Sequence, residues 1–316
     1  MDHEPVLVDR VVELLLPALH NGGVVVDATL GRGGHAKALL EAAPEIVLVG
    51  IDRDEQAVEQ SGAYLSAYSQ RVRTARADFA SLSSVLERLG IASVRGVLFD
   101  FGVSSPQLDR PERGFSFRHE GPLDMRMDLS APLTAAVIVN EYPEADLARV
   151  IRRYGEERFA GRIARAIIGA RPIGTTTELA EVIKNAIPAA TRRTGGHPAR
   201  RSFQALRIEV NDELIQIDKA LSQAIEAMEP GGRIATLTYH SLEDRIVKRK
   251  FVEESRGCTC PPDFPVCVCG AEAGLRVITK RPITATEQEI ELNPRASSAK
   301  LRVAERLSVG PDQGSA

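Results

Sequence analysis

Cysteine is scarce in this 316-residue chain, and its four copies fall together at Cys258, Cys260, Cys267 and Cys269. That clustering excludes a disulfide framework for the whole fold. Long apolar runs are missing too. No stretch approaches the ~20 residues that a membrane-spanning helix needs, so no membrane partner is expected. The start, Met-Asp-His-Glu-Pro, lacks the basic and apolar regions of a signal peptide, and the expected location is the cytosol. Charge of one sign is absent as well. Forty Lys and Arg stand against 43 Asp and Glu, for a net charge of −3. A uniformly basic protein is thereby excluded, and any contact with nucleic acid must come from a local patch. There is no internal repeat and no long low-complexity segment, and Gly310 to Ala316 reads as a disordered tail. With 43% hydrophobic residues, the length suits one large or two medium domains.

What is present is concentrated in residues 24–35, Val-Val-Val-Asp-Ala-Thr-Leu-Gly-Arg-Gly-Gly-His. Three β-branched residues predict a buried strand, glycines at 31, 33 and 34 a tight loop, and Ala36, Ala38, Leu39 and Leu40 a helix. Strand, glycine loop and helix form a nucleotide-type site, because glycine lets the backbone fold tightly and approach a ligand. A plain glycine turn and a dinucleotide loop share this pattern. Asp27 separates them: a pyrophosphate seeks the positive helix N-terminus, and a carboxylate just upstream would repel it. The same carboxylate suits a phosphate-free cofactor with a cationic ammonium, such as S-adenosylmethionine. A second strand, Ile46 to Asp52, ends in an acid 21 residues after Gly31, the spacing at which a carboxylate accepts ribose hydroxyls. Asp54 is placed to cap a helix running through Tyr64. A third strand (Val72 to Ala77) leads to Asp78-Phe79, and a fourth (Gly96 to Phe99) ends at Asp100. Four successive strands thus finish in carboxylates, at the edge where ligands of open α/β sheets bind. The alternation of strands and helices predicts a mostly parallel sheet with right-handed crossovers.

The next strand, Gly232 to Tyr239, follows the turn Glu229-Pro-Gly-Gly and lies about 130 residues after the fourth, where an ordinary crossover takes a dozen or more. The excess must fold separately. It holds an irregular loop (104–130), helical stretches near 144–170 and 176–187, and a long helix around 199–228. The expected division is a discontinuous domain of residues 1–106 and 216–316, with a mainly helical insert at 107–215 for substrate recognition. Basic charge collects in that insert. Seven arginines lie between 149 and 171 against only Glu156 and Glu157, with Arg158, Arg162 and Arg165 spaced for one helix face. The stretch 191–207 holds five arginines and no acid. Arg192, Arg193, Arg200 and Arg201 are the candidates to bind a phosphate backbone, because guanidinium forks match phosphate oxygens. A solvated helix face is the competing explanation for the 149–171 run.

Several longer motifs carry a resemblance. They are His3-Glu-Pro-Val-Leu, Asp27-Ala-Thr-Leu-Gly-Arg-Gly-Gly-His35, Asp100-Phe-Gly-Val-Ser-Ser-Pro-Gln-Leu-Asp109, Arg113-Gly-Phe-Ser-Phe117, Gly121-Pro-Leu-Asp-Met-Arg-Met-Asp128, His240-Ser-Leu-Glu-Asp-Arg245 and Asn293-Pro-Arg295. Through them nearly the whole chain resembles the bacterial 16S ribosomal RNA cytosine-N4 methyltransferases. The resemblance implies a class I, Rossmann-like S-adenosylmethionine-dependent methyltransferase fold with an inserted substrate domain. It also implies methylation of the exocyclic amine of a cytosine in the decoding centre (P site) of the small ribosomal subunit. The implied cofactor contacts are Gly33, Gly34, His35, Asp52, Phe79, Asp100 and Gln107. For Arg192, Arg193, Arg200 and Arg201 the resemblance implies that the phosphate backbone is RNA. Ser297 departs from the pattern, standing where relatives often carry a basic residue before Ser298-Ala-Lys-Leu-Arg302. The cysteine cluster is not a general family feature.

Cytosine N4 is a poor nucleophile, its lone pair being delocalised into the ring. Many amino-methyltransferases meet it with Asp or Asn followed by two prolines, whereas this chain has Asp100-Phe-Gly-Val with Ser104 and Ser105 behind. Asp100 is the candidate catalytic acceptor for the amine hydrogens, with cofactor binding as its alternative role. His240, at the end of the fifth strand, is either a second group on that edge or the start of a helix. Phe115 and Phe117 are candidates to stack on a base drawn out of its helix, with core packing as the alternative. Four clustered thiols suit either a zinc staple in the loop between a helix (Ser241 to Glu254) and a strand (Leu275 to Lys280), or no metal at all; no catalytic metal is assigned. Two other classes stay open: a methyltransferase for a small molecule or protein amine, and a non-catalytic RNA-binding factor on the same fold. The oligomeric state is also left open, a homodimer included.

Overall fold

The computed structural model describes residues 5–102, 110–192, 196–257, 260, 269 and 272–308. The chain divides into two compact units, Met1–Gly102 with Leu214–Ala316, and Val103–Glu213.

The first unit is built on a sheet. Its strands are β1 (Gly23–Asp27), β2 (Ile46–Asp52), β3 (Val72–Arg76), β4 (Val94–Asp100), β5 (Met228–Thr238), β6 (Leu275–Val277) and β7 (Lys300–Arg306). They lie in the order β3-β2-β1-β4-β5-β7-β6. Strands β1 to β5 pair in parallel, and β7 runs antiparallel to both β5 and β6. This is the mostly parallel, Rossmann-like sheet expected from the sequence. β1 pairs with β2 on one side and β4 on the other, so the chain reverses its direction of winding there. That reversal opens a crevice at the carboxyl ends of the two strands.

The apolar runs of the central strands follow from burial on both faces. Side chains alternate: Val25, Leu48 and Leu98 pack with Leu15 and Leu19 of α1 (Val8–Leu19) and Leu39 and Leu40 of α2 (Gly34–Ala42). Their neighbours Val26, Val49 and Phe99 pack on the other face with Leu82 and Val85 of α4 (Leu82–Arg88), Leu221 of a helix described below, and Phe251 of the helix after β5. Asp54 caps α3 (Glu55–Tyr64) by accepting the Gln56 N–H at 3.0 Å.

Among the elements outside the sequence expectation, two bear on the sheet. Helix α1 precedes the first expected strand, and β7 joins the sheet near the chain's end. β7 escapes a pattern search because buried Arg302 interrupts its apolar residues. Arg302 reaches Asp244 through Nε and Nη2 at 2.6 and 3.3 Å, and Lys300 joins the same carboxylate at 3.3 Å. The Glu229-Pro-Gly-Gly turn also lies within β5, where the β4–β5 register shifts between Val94 and Gly96.

The second unit is helical among the described residues: α5 (Ala135–Glu141), α6 (Glu144–Gly155), α7 (Ala160–Ala170), α8 (Thr176–Ala186), α9 (Ala189–Arg192) and α10 (Arg200–Asn211). Its core joins Met125, Ile138, Leu147, Ile151, Ile163, Ile167, Leu179, Ile183, Phe203 and Leu206. The helical stretch expected near 144–170 consists of two helices, and the long helix expected around 199–228 is broken in two. Glu156 ends α6 at φ 48°, and Asp212 ends α10 at φ 49° before α11 (Glu213–Ala227) begins. Asp tolerates the left-handed conformation better than most residues. Asn211 pins this break, accepting the Met127 N–H and donating to the Met125 and Arg207 carbonyls. Among the described residues no helix is long and apolar enough to cross a membrane.

Candidate active site at the carboxyl edge of the sheet

Asp27 ends β1 and is 1% exposed. Its Oδ1 accepts the Thr29 N–H at 3.2 Å, and among the described residues no Lys or Arg pairs with it. Burial pushes its carboxyl up to about 7; His35 and the Thr29 N–H oppose the rise, and Asp100 and Asp52 add to it. A carboxylate held so far from water with no Lys or Arg to pair it is electrostatically unsatisfied.

Asp52 ends β2. Its Oδ2 accepts the Gly31 N–H at 2.8 Å and its Oδ1 the Asp54 N–H at 2.9 Å, which ties the glycine loop to the second strand. Burial raises this carboxyl also, against the two backbone donors. In the loop, Gly33 precedes α2 at φ 81° and donates to the Leu30 carbonyl at 2.7 Å. Gly34 is needed for a different reason. A Cβ there would lie 2.4 Å from Cγ of Pro5, so the missing side chain admits the N-terminal segment. That segment also takes His35, whose Nε2 lies 2.9 Å from the Val6 carbonyl and must carry the hydrogen, since a carbonyl only accepts.

Asp100 ends β4, its backbone N–H donating to Thr29 Oγ1 at 2.6 Å. Tyr239, directly after β5, donates its hydroxyl to Asp100 Oδ1 at 2.7 Å. The His35 Nδ1 stands 3.8 Å from the other oxygen. Burial and the neighbouring Asp100 carboxylate hold the Tyr239 phenol well above its ordinary range, so it remains a donor. The Tyr239 ring packs against Gly102, where φ is 123° and a Cβ would meet Cδ2 at 3.0 Å. The structure therefore groups Asp27, His35, Asp52 and Asp100 on one edge and adds Thr29 and Tyr239, which the sequence reading did not single out. Tyr239 was legible only as the last residue of a strand.

The remaining strand-end acid, Asp78, caps the short turn Phe79–Ser81 and lies 3.6 Å from Arg53. Phe79 stands edge-on to Phe101 at 5.5 Å and to Phe99 at 6.3 Å, with the Arg53 guanidinium 5.8 Å from its ring centre. His240 begins α12 (Ser241–Arg256) as half of a capping box. Its ring accepts the Glu243 N–H, and Glu243 Oε2 accepts the N–H groups of Tyr239 and His240. Of its two readings, the helix start is the one observed. Gln107, Ser104, Ser105, Cys258 and Cys267 lie outside the described residues, and with them the zinc staple.

In the insert, Arg200 and Arg201 are exposed at the start of α10. Arg201 lies 3.9 Å from Glu157. Arg192 closes α9, and Arg193 lies outside the described residues. The 149–171 run is of mixed character. Arg149 and Arg165 meet Asp146 and Glu144, while Arg171 donates to the Val139 and Tyr142 carbonyls at 2.7 and 2.6 Å and so closes α5. Arg158 precedes α7 instead of sharing its face with Arg162 and Arg165. Among the described residues Arg152, Arg162 and Arg200 have no acidic partner. Phe115 is 7% exposed within the insert's core, which is the packing alternative.

A family model described as the MraW methylase family matches residues 1–307. A protein of Symbiobacterium thermophilum named "Ribosomal RNA small subunit methyltransferase H" is 50% identical over 98% of both chains. One of the same name from Thermobifida fusca is 53% identical over 96% of this chain and 93% of its own. A solved structure titled as an rRNA methylase from Streptococcus thermophilus aligns over 98% of this chain and 99% of its own at 12% identity, with a TM-score of 0.43. By the match along nearly its full length, the chain belongs to the MraW methylase family.

Proposed function

We propose that this chain methylates small-subunit ribosomal RNA, transferring a methyl group from S-adenosylmethionine to the exocyclic N4 amine of a cytosine in the decoding centre. The relatives' name supports the RNA class, and the long motifs of the sequence support the cytosine amine. One observation carries the cofactor: Asp27 is buried beside Asp52 and Asp100, with no Lys or Arg pairing it among the described residues and only His35 opposing its charge. Such an edge repels phosphate and favours a cation, and S-adenosylmethionine has a sulfonium, an ammonium and no phosphate.

The bound cofactor supplies an electrophilic methyl group. The chain's residues then have separable tasks. Asp27 offers negative charge to a cation at the mouth of the glycine loop. Asp52 keeps that loop against β2 through Gly31 and has lone pairs left for ribose hydroxyls. Gly33, Gly34, His35, Phe79 and Gln107 complete the proposed cofactor contacts. Asp100, held by Tyr239, accepts a hydrogen of the amine, orients its lone pair towards the methyl group and favours loss of the proton after transfer. Arg192, Arg193, Arg200 and Arg201 would grip phosphates of the RNA.

Mass analysis of ribosomal RNA nucleosides tests this reading. Small-subunit RNA from a strain lacking the protein should lose one methyl group on a cytosine amine. The purified chain with S-adenosylmethionine should restore it. An unchanged nucleoside profile overturns the proposal.

A further inference from the structure

The insert carries a ring stack that the arginine patch alone does not explain. Phe117 sits in a loop fixed at both ends. Gly114, at φ 72°, brings the backbone so close that a Cβ would lie 2.1 Å from the Pro122 carbonyl oxygen. At the other end, a Cβ on Gly121 would lie 1.9 Å from the Pro111 carbonyl oxygen. Gly121 and Thr176 then exchange hydrogen bonds, the Gly121 N–H to Thr176 Oγ1 at 3.1 Å and the Thr176 N–H to the Gly121 carbonyl at 2.9 Å. From below, Phe203, which is 4% exposed, meets Phe117 edge-on with ring centres 5.2 Å apart. On its face lies His197, ring centres 4.4 Å apart and planes 21° from parallel.

His197 is itself exposed, so the outermost ring of the stack is an imidazole with one face covered. Its orientation is set by Nδ1, which accepts the Ala199 N–H at 3.2 Å. The Arg200 N–H donates to the His197 carbonyl at 3.0 Å, and its guanidinium folds back towards Gly196, with Nη1 3.9 Å from where a Cβ of that glycine would be. Arg118, next to Phe117, is exposed. A rigid flat ring beside exposed guanidinium groups matches what an unpaired nucleotide presents: a π-face for stacking and a phosphate for the cation.

We propose that His197, backed by Phe117 and Phe203, is a nucleobase-stacking subsite, on which an unpaired base of the RNA lies while Arg200 contacts its phosphate. The inference rests on the ribosomal RNA reading above. It reassigns the stacking role that the sequence suggested for Phe115 and Phe117, since the first is in the core and the second is covered by the histidine.

The test is binding of the full chain to a labelled single-stranded fragment of small-subunit ribosomal RNA, at pH 8 across a salt series. His197→Ala should weaken binding about 5- to 150-fold with an unchanged log–log salt slope, because a stacked base releases no counterions. His197→Phe should restore affinity. Arg200→Ala should instead flatten the slope by about 0.7, the value for one single-strand phosphate. A second measurement needs no variant: 2-aminopurine moved through the fragment should be quenched at one position on binding to the unaltered chain. Wild-type affinity in His197→Ala, a loss that His197→Phe leaves in place, or 2-aminopurine unquenched at every position would each overturn the subsite alone. Failure of the unaltered chain to bind the fragment would overturn the ribosomal RNA reading, and the subsite with it.

Discussion

Asp27 shows how one residue links burial to function. In an unfolded chain an aspartate gives up its proton near 3.9; in the fold Asp27 keeps it up to about 7. Its folded value is raised, so the folded state binds more protons across that window. Stability of the ligand-free protein therefore falls as pH rises from about 4 through about 7, then levels off. A bound cation reverses the preference and drives the proton off. Affinity for S-adenosylmethionine should rise by up to about tenfold per pH unit just below pH 7 and flatten above it. Calorimetry in two buffers of different ionisation enthalpy checks this, with proton release expected at pH 6 and little at pH 8. Asp27→Asn should remove the pH dependence. Tyr239 makes a separate prediction. Its hydroxyl donates to a carboxylate, a bond worth about 1.5–3 kcal/mol, so Tyr239→Phe should lower kcat roughly 10- to 150-fold. The same change should leave the dissociation constant of S-adenosylmethionine within a few-fold. Full turnover in that variant would remove Tyr239 from the positioning of Asp100.

At the scale of elements, two glycines with nearly equal backbone angles separate strain from crowding. Gly90 ends the turn after α4 at φ 68° with open space where a Cβ would go, and Gly114 has φ 72° with the Pro122 carbonyl oxygen in that space. Gly90→Ala should cost only the left-handed penalty, about 1 kcal/mol. Gly114→Ala adds displacement of a packed loop and should cost roughly 2–4 kcal/mol in total. Denaturant unfolding of the two variants would show it. Equal losses would mean that the 111–125 loop is softer than its contacts imply. The broken helices follow the same logic. Asp212 is already left-handed, so Asp212→Gly should be neutral or slightly stabilising, whereas a glycine in the middle of α10 would cost about 1 kcal/mol.

For the molecule as a whole, the near-neutral charge hides a division of labour. Carboxylates gather at the edge of the sheet in one unit, and among the described residues of the other unit Arg152, Arg162 and Arg200 have no acidic partner. The net charge of −3 therefore gives no steering towards RNA by itself. Replacing Arg200 and Arg201 together with Ala should flatten the salt dependence of RNA binding and leave S-adenosylmethionine affinity almost unchanged. A salt slope identical to that of the parent would make these arginines ordinary solvated surface.

The sequence alone determined the sheet's first four strands, the glycine loop and the carboxylates at the strand ends. The reason is local: strands buried on both faces must be apolar throughout, and the residue that follows such a run faces the ligand edge. The long gap after β4 also pointed to an insert, because no crossover needs so long a chain. Tertiary structure decided the rest. Strand β7 depends on Asp244 satisfying buried Arg302, a pairing between residues 58 apart. The breaks at Glu156 and Asp212 fall at non-glycine residues in the left-handed conformation, which no residue type there signals. Tyr239 meets Asp100 only because β4 and β5 are neighbours, and His197 meets Phe117 only because α10 and the 111–125 loop pack together. Each is a contact between distant segments. Its partner cannot be read from the residue's own neighbourhood, since side-chain chemistry is local but its satisfaction depends on the fold.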